Sequence, residues 1–134
     1  MKIDEIEGVG AAQTAKLSAA GVSTTDDLLK LGAKPAGRKS LADTTGISGK
    51  LILEWVNHVD LMRIKGVGSE YSDLLEAAGV DSPSELAGRK AANLAITFQE
   101  LVAARPGLVR RVPSEAEVAS WIAASKTLAK IVEH

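Results

Sequence analysis

Apolar residues and glycines recur along the chain in two matching series. The segment Ile-Glu-Gly-Val-Gly at residues 6–10 returns as Ile-Lys-Gly-Val-Gly at residues 64–68, an offset of 58 residues (64 minus 6). Residues 48–56 resemble residues 114–122 at an offset of 66, so the second copy is longer by about eight residues. Self-similarity of this kind predicts a duplicated fold unit. We expect one copy in residues 1–58 and the other in residues 59–134.

Helical periodicity follows each Gly-Val-Gly sequence. Apolar residues stand at helical spacing over residues 11–20 and again over residues 69–78. Gly21 and Gly79 come directly after these stretches, where a left-handed residue commonly ends a helix. Both helices are therefore predicted to stop there, and strand-like alternation between turn residues is not convincing anywhere in the chain.

Hydroxyl residues mark the starts of further helices. Thr24 and Ser82 are placed to cap the next short helix of each copy, and Pro83 occupies a favoured first helical position. Ser48 and Ser114 precede the last long helices, which we predict over roughly residues 49–59 and 115–128. The expected fold is all-α, with about eight to ten short helices. The two copies are expected to pack as one globule, because short helices bury little surface alone.

Composition narrows the function classes. A hydrophobic content of 46% supports a folded core, and the chain has no apolar run long enough for a membrane span and no secretory leader pattern. We therefore expect a cytoplasmic protein without membrane contact. Cysteine is absent and the two histidines stand far apart in sequence, so neither a metal site nor a cofactor is expected.

Charge restricts any nucleic-acid contact to a local surface. The net charge is -1 and the pI is near 6.1, whereas proteins that grip nucleic acid by bulk electrostatics are strongly basic. Aromatic residues make up 3% of the chain, which leaves few rings for stacking on exposed bases. Duplex backbone contact is thus favoured over binding of single strands.

The two Gly-Val-Gly turns, residues 8–10 and 66–68, carry the candidate chemistry. Their glycines allow positive φ angles and a close approach of the backbone, while the central valine can fold back onto the core. The amides that open the next helix, together with its dipole, suit a phosphate. The candidate nucleic-acid-binding residues are Gly8, Val9, Gly10, Ala11, Ala12 and Lys16 in the first copy, and Lys65, Gly66, Val67, Gly68 and Ser69 in the second.

These turns resemble helix-hairpin-helix proteins, which read DNA backbone phosphates. Nearly the whole chain also resembles a bacterial family catalogued as domain of unknown function 4332. The resemblance lies in the Gly-Val-Gly and Ala-Gly-Val sequences and in the segments at residues 47–55 and 109–114. The resemblance implies paired helix-hairpin-helix units and a DNA-binding or flap-endonuclease-like role, itself inferred from the hairpins. It implies no activity.

Acidic residues beside the turns depart from the pattern of strong DNA binders. Glu7 precedes the first turn, although Lys16, about two helical turns into the next helix, is within reach of a phosphate. Lys65 precedes the second turn, and Glu70 follows it at a helix start, where its carboxylate would compete with phosphate for the same amides. Each turn is therefore weakened by one acid.

Other chemistry-bearing residues have structural interpretations. Acidic pairs stand at predicted helix starts, where a negative charge interacts favourably with the helix dipole. Because this role explains them, the group of carboxylates that a nuclease needs to hold its metal ions is not expected. Trp55 and Trp121 are predicted core anchors, and His58 and His134 are not expected to be ligands. Three basic clusters are interpreted as solvated surface: Lys34 with Arg38 and Lys39; Arg89 with Lys90; and Arg105 with Arg110 and Arg111, the last also a possible binding patch.

The sequence leaves two functional hypotheses open, and a third, a metal-dependent nuclease, is kept only because the family resemblance implies it. The first is a non-catalytic module that contacts double-stranded DNA through backbone phosphates, without reading bases, because glycine amides carry no sequence information. The second is a protein-interaction or assembly scaffold, in which the hairpins serve only as core architecture and the partner is an unidentified protein. The acidic pI, Glu7 and Glu70 favour the second hypothesis.

Overall fold

The computed structural model describes residues 1–6 and 8–134, and this part of the chain is helical. Its eight α-helices confirm the all-α prediction, and the only extended pairing in the described residues is an isolated bridge between Lys2 and Thr24. A short 3-10 helix, Ile3–Glu5, precedes the α-helices. These are α1 (Ala11–Ala19), α2 (Thr25–Gly32), α3 (Pro35–Thr45), α4 (Gly49–Leu61), α5 (Ser69–Ala77), α6 (Pro83–Ala87), α7 (Ala91–Ala104) and α8 (Glu115–Ser125).

Side-chain caps start the helices where hydroxyl residues predicted them. The Thr24 hydroxyl accepts a hydrogen bond from the Asp27 amide at 3.1 Å, and the Ser82 hydroxyl accepts one from the Glu85 amide at 3.2 Å. Ser114 caps α8 in the same way, at 3.2 Å from the Glu117 amide. Each cap satisfies one of the amides that a helix start leaves without an intrahelical partner.

Glycines end the two helices that follow the Gly-Val-Gly turns, as predicted. Gly21 has a φ of 88° and Gly79 a φ of 84°, both in the left-handed region. The amides of Val22 and Val80 then bond back to the carbonyls of the preceding helices, at 2.8 and 2.9 Å. This closure uses carbonyls that the last turn of a helix would otherwise leave without partners.

The long helices differ from their predicted ends. Helix α4 continues to Leu61, two residues beyond the predicted end. Helix α8 stops at Ser125 instead of Leu128, because the next amides bond to carbonyls three residues back: Thr127 to Ala124 at 3.2 Å and Leu128 to Ser125 at 3.3 Å. The final turn is thus tighter than an α-helix, a common way for a helix to end.

The chain forms two compact units, each with its own apolar core. The first unit contains Met1–Asp60 together with Ile131–His134, and the second contains Leu61–Lys130. Leu17 and Trp55 lie in the core of the first unit, and Leu75 and Trp121 lie in the core of the second. The last four residues therefore return to the first unit, where Val132 is buried. None of the helices in the described residues has the length and apolar character needed to span a membrane.

Arg38 is buried, so the interpretation of its basic cluster as solvated surface is wrong at this position. Its Nη1 donates to the carbonyl of Gly32 at 2.8 Å, and its Nη2 donates to the carbonyl of Glu133 at 2.7 Å. A guanidinium can be buried where carbonyl oxygens meet its donors. Arg38 therefore ties the returning C-terminal segment to the first unit, while Lys34 and Lys39 of the same cluster are exposed.

Candidate functional site

The two Gly-Val-Gly turns have the same backbone conformation. Gly8 and Gly66 adopt positive φ angles of 86° and 93°, which side chains strongly disfavour. Gly10 and Gly68 are extended, with φ of -86° and -97°, and each is the residue that precedes the next helix. In both turns the valine amide donates to an isoleucine carbonyl three residues back, at 3.2 Å in the first turn and 3.0 Å in the second.

The valines of the turns point into the cores. Val9 is 7% exposed and Val67 is 5% exposed, whereas the four glycines around them are exposed. The expectation that the central valine holds the turn on the core is confirmed. Among the candidate residues, these two therefore position the backbone, and the glycines and helix starts form the accessible surface.

Helices α1 and α5 begin without a side-chain cap, unlike α2, α6 and α8. Gly10 and Gly68 occupy the capping positions, and their carbonyls accept from the amides of Thr14 and Ser72, both at 2.9 Å. The first amides of a helix lack intrahelical acceptors and stand at the positive end of its dipole. Both helix starts are thus suited to an anion, with Ala11 and Ala12 exposed and Ser69 half-buried.

Few charges accompany the first turn. Lys16 is exposed in the last turn of α1, and Asp4 and Glu5 are exposed in the 3-10 helix before the turn. The Glu5 carboxylate accepts from the Lys2 amide at 2.7 Å. Glu7, the acid that the sequence places beside this turn, lies outside the described residues.

The second turn is joined to part of the candidate basic patch. One Glu70 carboxylate oxygen accepts from the backbone amide of Arg110, and the other lies 3.2 Å from the Arg110 Nε. The Arg110 side chain is 95% exposed in spite of this pairing. The structure thus gives Glu70 a different partner from the one expected, since its carboxylate bonds to Arg110 across 40 residues of sequence.

Arg111 holds the same loop in place through two neighbours. Its guanidinium forms a two-pronged ion pair with Glu117, with nitrogen to oxygen distances of 2.6 and 2.8 Å. The Tyr71 hydroxyl, one residue beyond Glu70, donates to the Arg111 carbonyl at 3.1 Å. Arg110 and Arg111 therefore lie beside the second turn, while Arg105 is exposed at the end of α7.

The ion pairs shift the pKa values of the acids. Hydrogen bonds from the Arg110 backbone and side chain hold the pKa of Glu70 below its ordinary value. Hydrogen bonds from Arg111, and then from the Ser114 amide, lower the pKa of Glu117 to about 2. Both carboxylates are thus charged at neutral pH, and they offset positive charge beside the second turn.

The family assignment rests on most of the chain. A family model described as a domain of unknown function, DUF4332, matches residues 7–128. The chain belongs to this family. No curated protein and no solved structure matches it. The DUF4332 match covers both Gly-Val-Gly turns and the loop that carries Arg110 and Arg111.

Tryptophans of this DUF4332 chain lie beneath the turns. Trp55 and Trp121 are each 2% exposed, which confirms that they are core residues. A Cβ added to Gly66 would lie 3.0 Å from the Trp121 Nε1, and one added to Gly8 would lie 4.0 Å from the Trp55 Nε1. Trp121 also packs against the rings of Tyr71 and Phe98, with centroid distances of 5.2 and 6.5 Å. The Trp121 indole therefore lies closer to Gly66 than the Trp55 indole lies to Gly8.

Sequence reasoning for this DUF4332 chain missed the connection between the turn and the arginine loop. No local pattern marks Tyr71, and Arg110 and Arg111 stand far from the second turn in sequence. The available signal was the additional length of the second copy before residues 114–122. That signal locates an insertion, but it does not indicate which surface the inserted loop contacts.

Proposed function

We propose that the chain is a non-catalytic binding module with two helix-hairpin-helix units, and that it contacts backbone phosphates of duplex DNA chiefly through the second Gly-Val-Gly turn. The uncapped start of α5 supplies amide donors. Lys65 and the exposed guanidinium of Arg110 supply positive charge nearby in sequence or space. A phosphate group suits this site, because its oxygens accept hydrogen bonds from amides and its negative charge is attracted to lysine and arginine.

One observation carries this proposal: Glu70 and Tyr71, at the start of α5, bind the loop that contains Arg110 and Arg111. A helix start with glycines alone is a weak anion site. Arginine beside it adds a donor fork suited to phosphate oxygens and a charge that favours polyanions. The contact with DNA is sequence-independent, because neither backbone amides nor phosphate contacts read base edges.

The non-catalytic part of the proposal is supported by how two of the acids are used. The Asp27 carboxylate accepts from the amides of Ser23 and Thr24, both at 3.1 Å, in the capping box of α2. Glu117 completes the capping box of α8 and pairs with Arg111. Acids at these positions stabilise the helix start through capping bonds and the helix dipole. Because these two acids have that structural role, we propose binding without phosphodiester hydrolysis.

A protein-interaction module is the second candidate, and the ion pairs favour it. Glu70 and Glu117 offset the charge of Arg110 and Arg111, which leaves a surface of mixed charge on a chain of net charge -1. Mixed charge at a rim is typical of protein interfaces. On this hypothesis the turns are scaffold, and the arginine loop contacts an unidentified protein.

The deciding experiment is a binding titration with duplex, flap and single-stranded DNA at low and moderate salt. We expect duplex binding with an affinity that falls as salt rises, because neutralised phosphates release counterions. Magnesium and manganese are included, and intact DNA is expected after incubation. A duplex Kd weaker than about 0.1 mM at physiological salt, below the usual range of non-specific binding, would favour the protein-interaction module instead.

Reversing the charge of single lysines tests which surface contacts the duplex. Lys65→Glu is expected to weaken duplex binding and to lower the slope of log K against log salt by about one unit, as loss of one phosphate contact requires. Lys126→Glu is the matched control, since Lys126 is exposed in the same unit after α8. Equal effects of the two variants would indicate that net charge alone is responsible and would remove the turn from the binding surface.

A further inference from the structure

The indole nitrogen of Trp121 occupies an unusual position for a core tryptophan. The side chain is almost fully buried, at 2% exposed, among apolar residues of the second unit. Its Nε1 nevertheless lies directly against Gly66, at 3.0 Å from where a Cβ would stand. The ring thus contributes to the core, while its one polar atom faces the second Gly-Val-Gly turn.

This nitrogen is a donor without an acceptor. In the described part of the chain every fully buried side-chain nitrogen or oxygen has a hydrogen-bond partner, and the Trp121 Nε1 takes part in no hydrogen bond there. The indole N–H therefore reaches the solvent-accessible surface beside Gly66. Tryptophan N–H groups in folded proteins usually find an acceptor, so a donor held open at a turn indicates an acceptor from outside the chain.

Packing alone does not explain a tryptophan with this orientation. The contacts with Tyr71 and Phe98 are tilted ring contacts, and an all-carbon ring would also make them. A glycine at residue 66 keeps the approach to the indole nitrogen open, because a Cβ there would stand 3.0 Å from it, closer than ordinary van der Waals contact. The positive φ of 93° and the nearby nitrogen thus both require glycine at this position.

We propose that the Trp121 indole N–H donates a hydrogen bond to a backbone phosphate oxygen of duplex DNA docked at the second Gly-Val-Gly turn. This inference rests on the proposed function and adds a side-chain donor to it. The acceptor is anionic, because the start of α5, where the helix dipole is positive, and the Arg110 guanidinium lie at the same turn. Bonds from neutral donors to charged acceptors are stronger than those to neutral acceptors.

Nuclear magnetic resonance tests the bond directly on the full chain. The two tryptophans give two indole N–H signals, which Trp55→Phe assigns. Titration with a short duplex is expected to move the Trp121 signal downfield, with the same midpoint as binding. A titration with inorganic phosphate distinguishes DNA phosphates from free phosphate as the acceptor. A saturable shift of the Trp121 signal with free phosphate, but none with duplex, would overturn the proposal that DNA is the ligand.

Affinity measurements supply the second test. Trp121→Phe removes the donor and keeps a ring, and it is expected to weaken duplex binding roughly tenfold, the loss for one hydrogen bond to a charged group. The slope of log K against log salt should stay unchanged, because no ionic contact is removed. Trp55→Phe is the control for loss of an indole, and thermal unfolding of both variants reports whether the fold persists.

The outcomes separate this inference from the proposed function. If the wild-type chain binds no duplex, both fail together. If it binds duplex but the Trp121 signal stays in place, the donor proposal alone is overturned, and this result holds even where Trp121→Phe fails to fold. A folded Trp121→Phe variant with wild-type affinity would overturn it in the same way.

Discussion

The first and second Gly-Val-Gly turns share a backbone and differ in their surroundings. Gly8 and Gly66 have nearly equal φ angles, and the valine that follows each of them is buried. The second turn also has an arginine loop bound to the helix that follows it, through Glu70. Glycine and valine therefore specify the turn, whereas the charge beside it depends on a segment about 40 residues away.

The difference shows how two turns with the same backbone conformation can stand beside different charged groups. In the second unit, residues 105–114 connect α7 to α8 and carry three arginines. Arg110 and Arg111 form ion pairs with Glu70 of α5 and Glu117 of α8, which hold the loop at the turn. Exposed ion pairs contribute little stability, so their main consequence is where they place charge.

The largest expected effect tests what the two turns share. Val67→Asp and Val9→Asp should each destabilise the fold by several kcal/mol, because each change puts an unpaired charge into an apolar core. Chemical denaturation measures the loss. Ala12→Asp is the control, since Ala12 is exposed in the first turn of α1, where an acid favours the dipole. An unchanged free energy of unfolding for the valine variants would contradict the inward orientation.

Alanine at the positive-φ glycines should give a smaller and unequal effect. Gly8→Ala is expected to cost about 1–2 kcal/mol from left-handed strain alone. Gly66→Ala should cost more, because its Cβ would stand 3.0 Å from the Trp121 Nε1 against 4.0 Å for the corresponding atoms in the first unit. Gly107→Ala, with no neighbour within 4 Å, is the control. Equal losses of stability at Gly8 and Gly66 would show that the Trp121 indole moves away from the added methyl group at no cost.

Much of the fold follows from local sequence signals. Thr24, Ser82 and Ser114 cap helices because a short hydroxyl side chain can reach an amide two or three residues ahead. Gly21 and Gly79 end helices because left-handed conformations are inexpensive for glycine. These rules act within a few residues, so they can be applied without knowledge of the tertiary structure.

The missed features depend on contacts between distant residues. Arg38 resembles its exposed lysine neighbours in sequence, yet it is buried because the Glu133 carbonyl, 95 residues away, meets its guanidinium. Glu70 stands at a helix start like a dipole-stabilising acid, and its bond to Arg110 depends on the path of the α7–α8 loop. Periodicity and capping rules carry no information about either partner, so the candidate site was predicted only in part.

Charge reversal at Glu70 should sharpen the contrast between the turns. Glu70→Lys removes the ion pair with Arg110 and adds a cation, so duplex binding should tighten and the slope of log K against log salt should steepen by about one to two units. Glu100→Lys, an exposed change of equal charge on α7, controls for net charge. In the first unit, Lys16→Glu should weaken duplex binding less than Lys65→Glu does in the second unit. If Glu70→Lys leaves binding unchanged, the second turn does not contact DNA.

The smallest expected effect is the titration of Glu117, which tests whether its ion pair with Arg111 persists in solution. Its pKa of about 2 lies below the ordinary 4.5, because Arg111 and the Ser114 amide favour the charged form. A lowered pKa means that the folded state binds the proton less tightly than the unfolded state does. The associated stability is therefore fully present above pH 4.5 and is lost as the pH falls toward 2.

Carbon NMR of the glutamate carboxyl groups measures this midpoint directly. Arg111→Gln should return the Glu117 pKa part of the way toward 4.5, because the capping bond from Ser114 remains. In the first unit, the pKa of Asp27 is lowered mainly by bonds from the Ser23 and Thr24 amides, so it should not respond to Arg111→Gln. A Glu117 midpoint near 4.5 in the wild-type chain would mean that the ion pair between Arg111 and Glu117 does not persist in solution. The arginine loop would then be held beside the second turn only by the contacts of Glu70 and Tyr71.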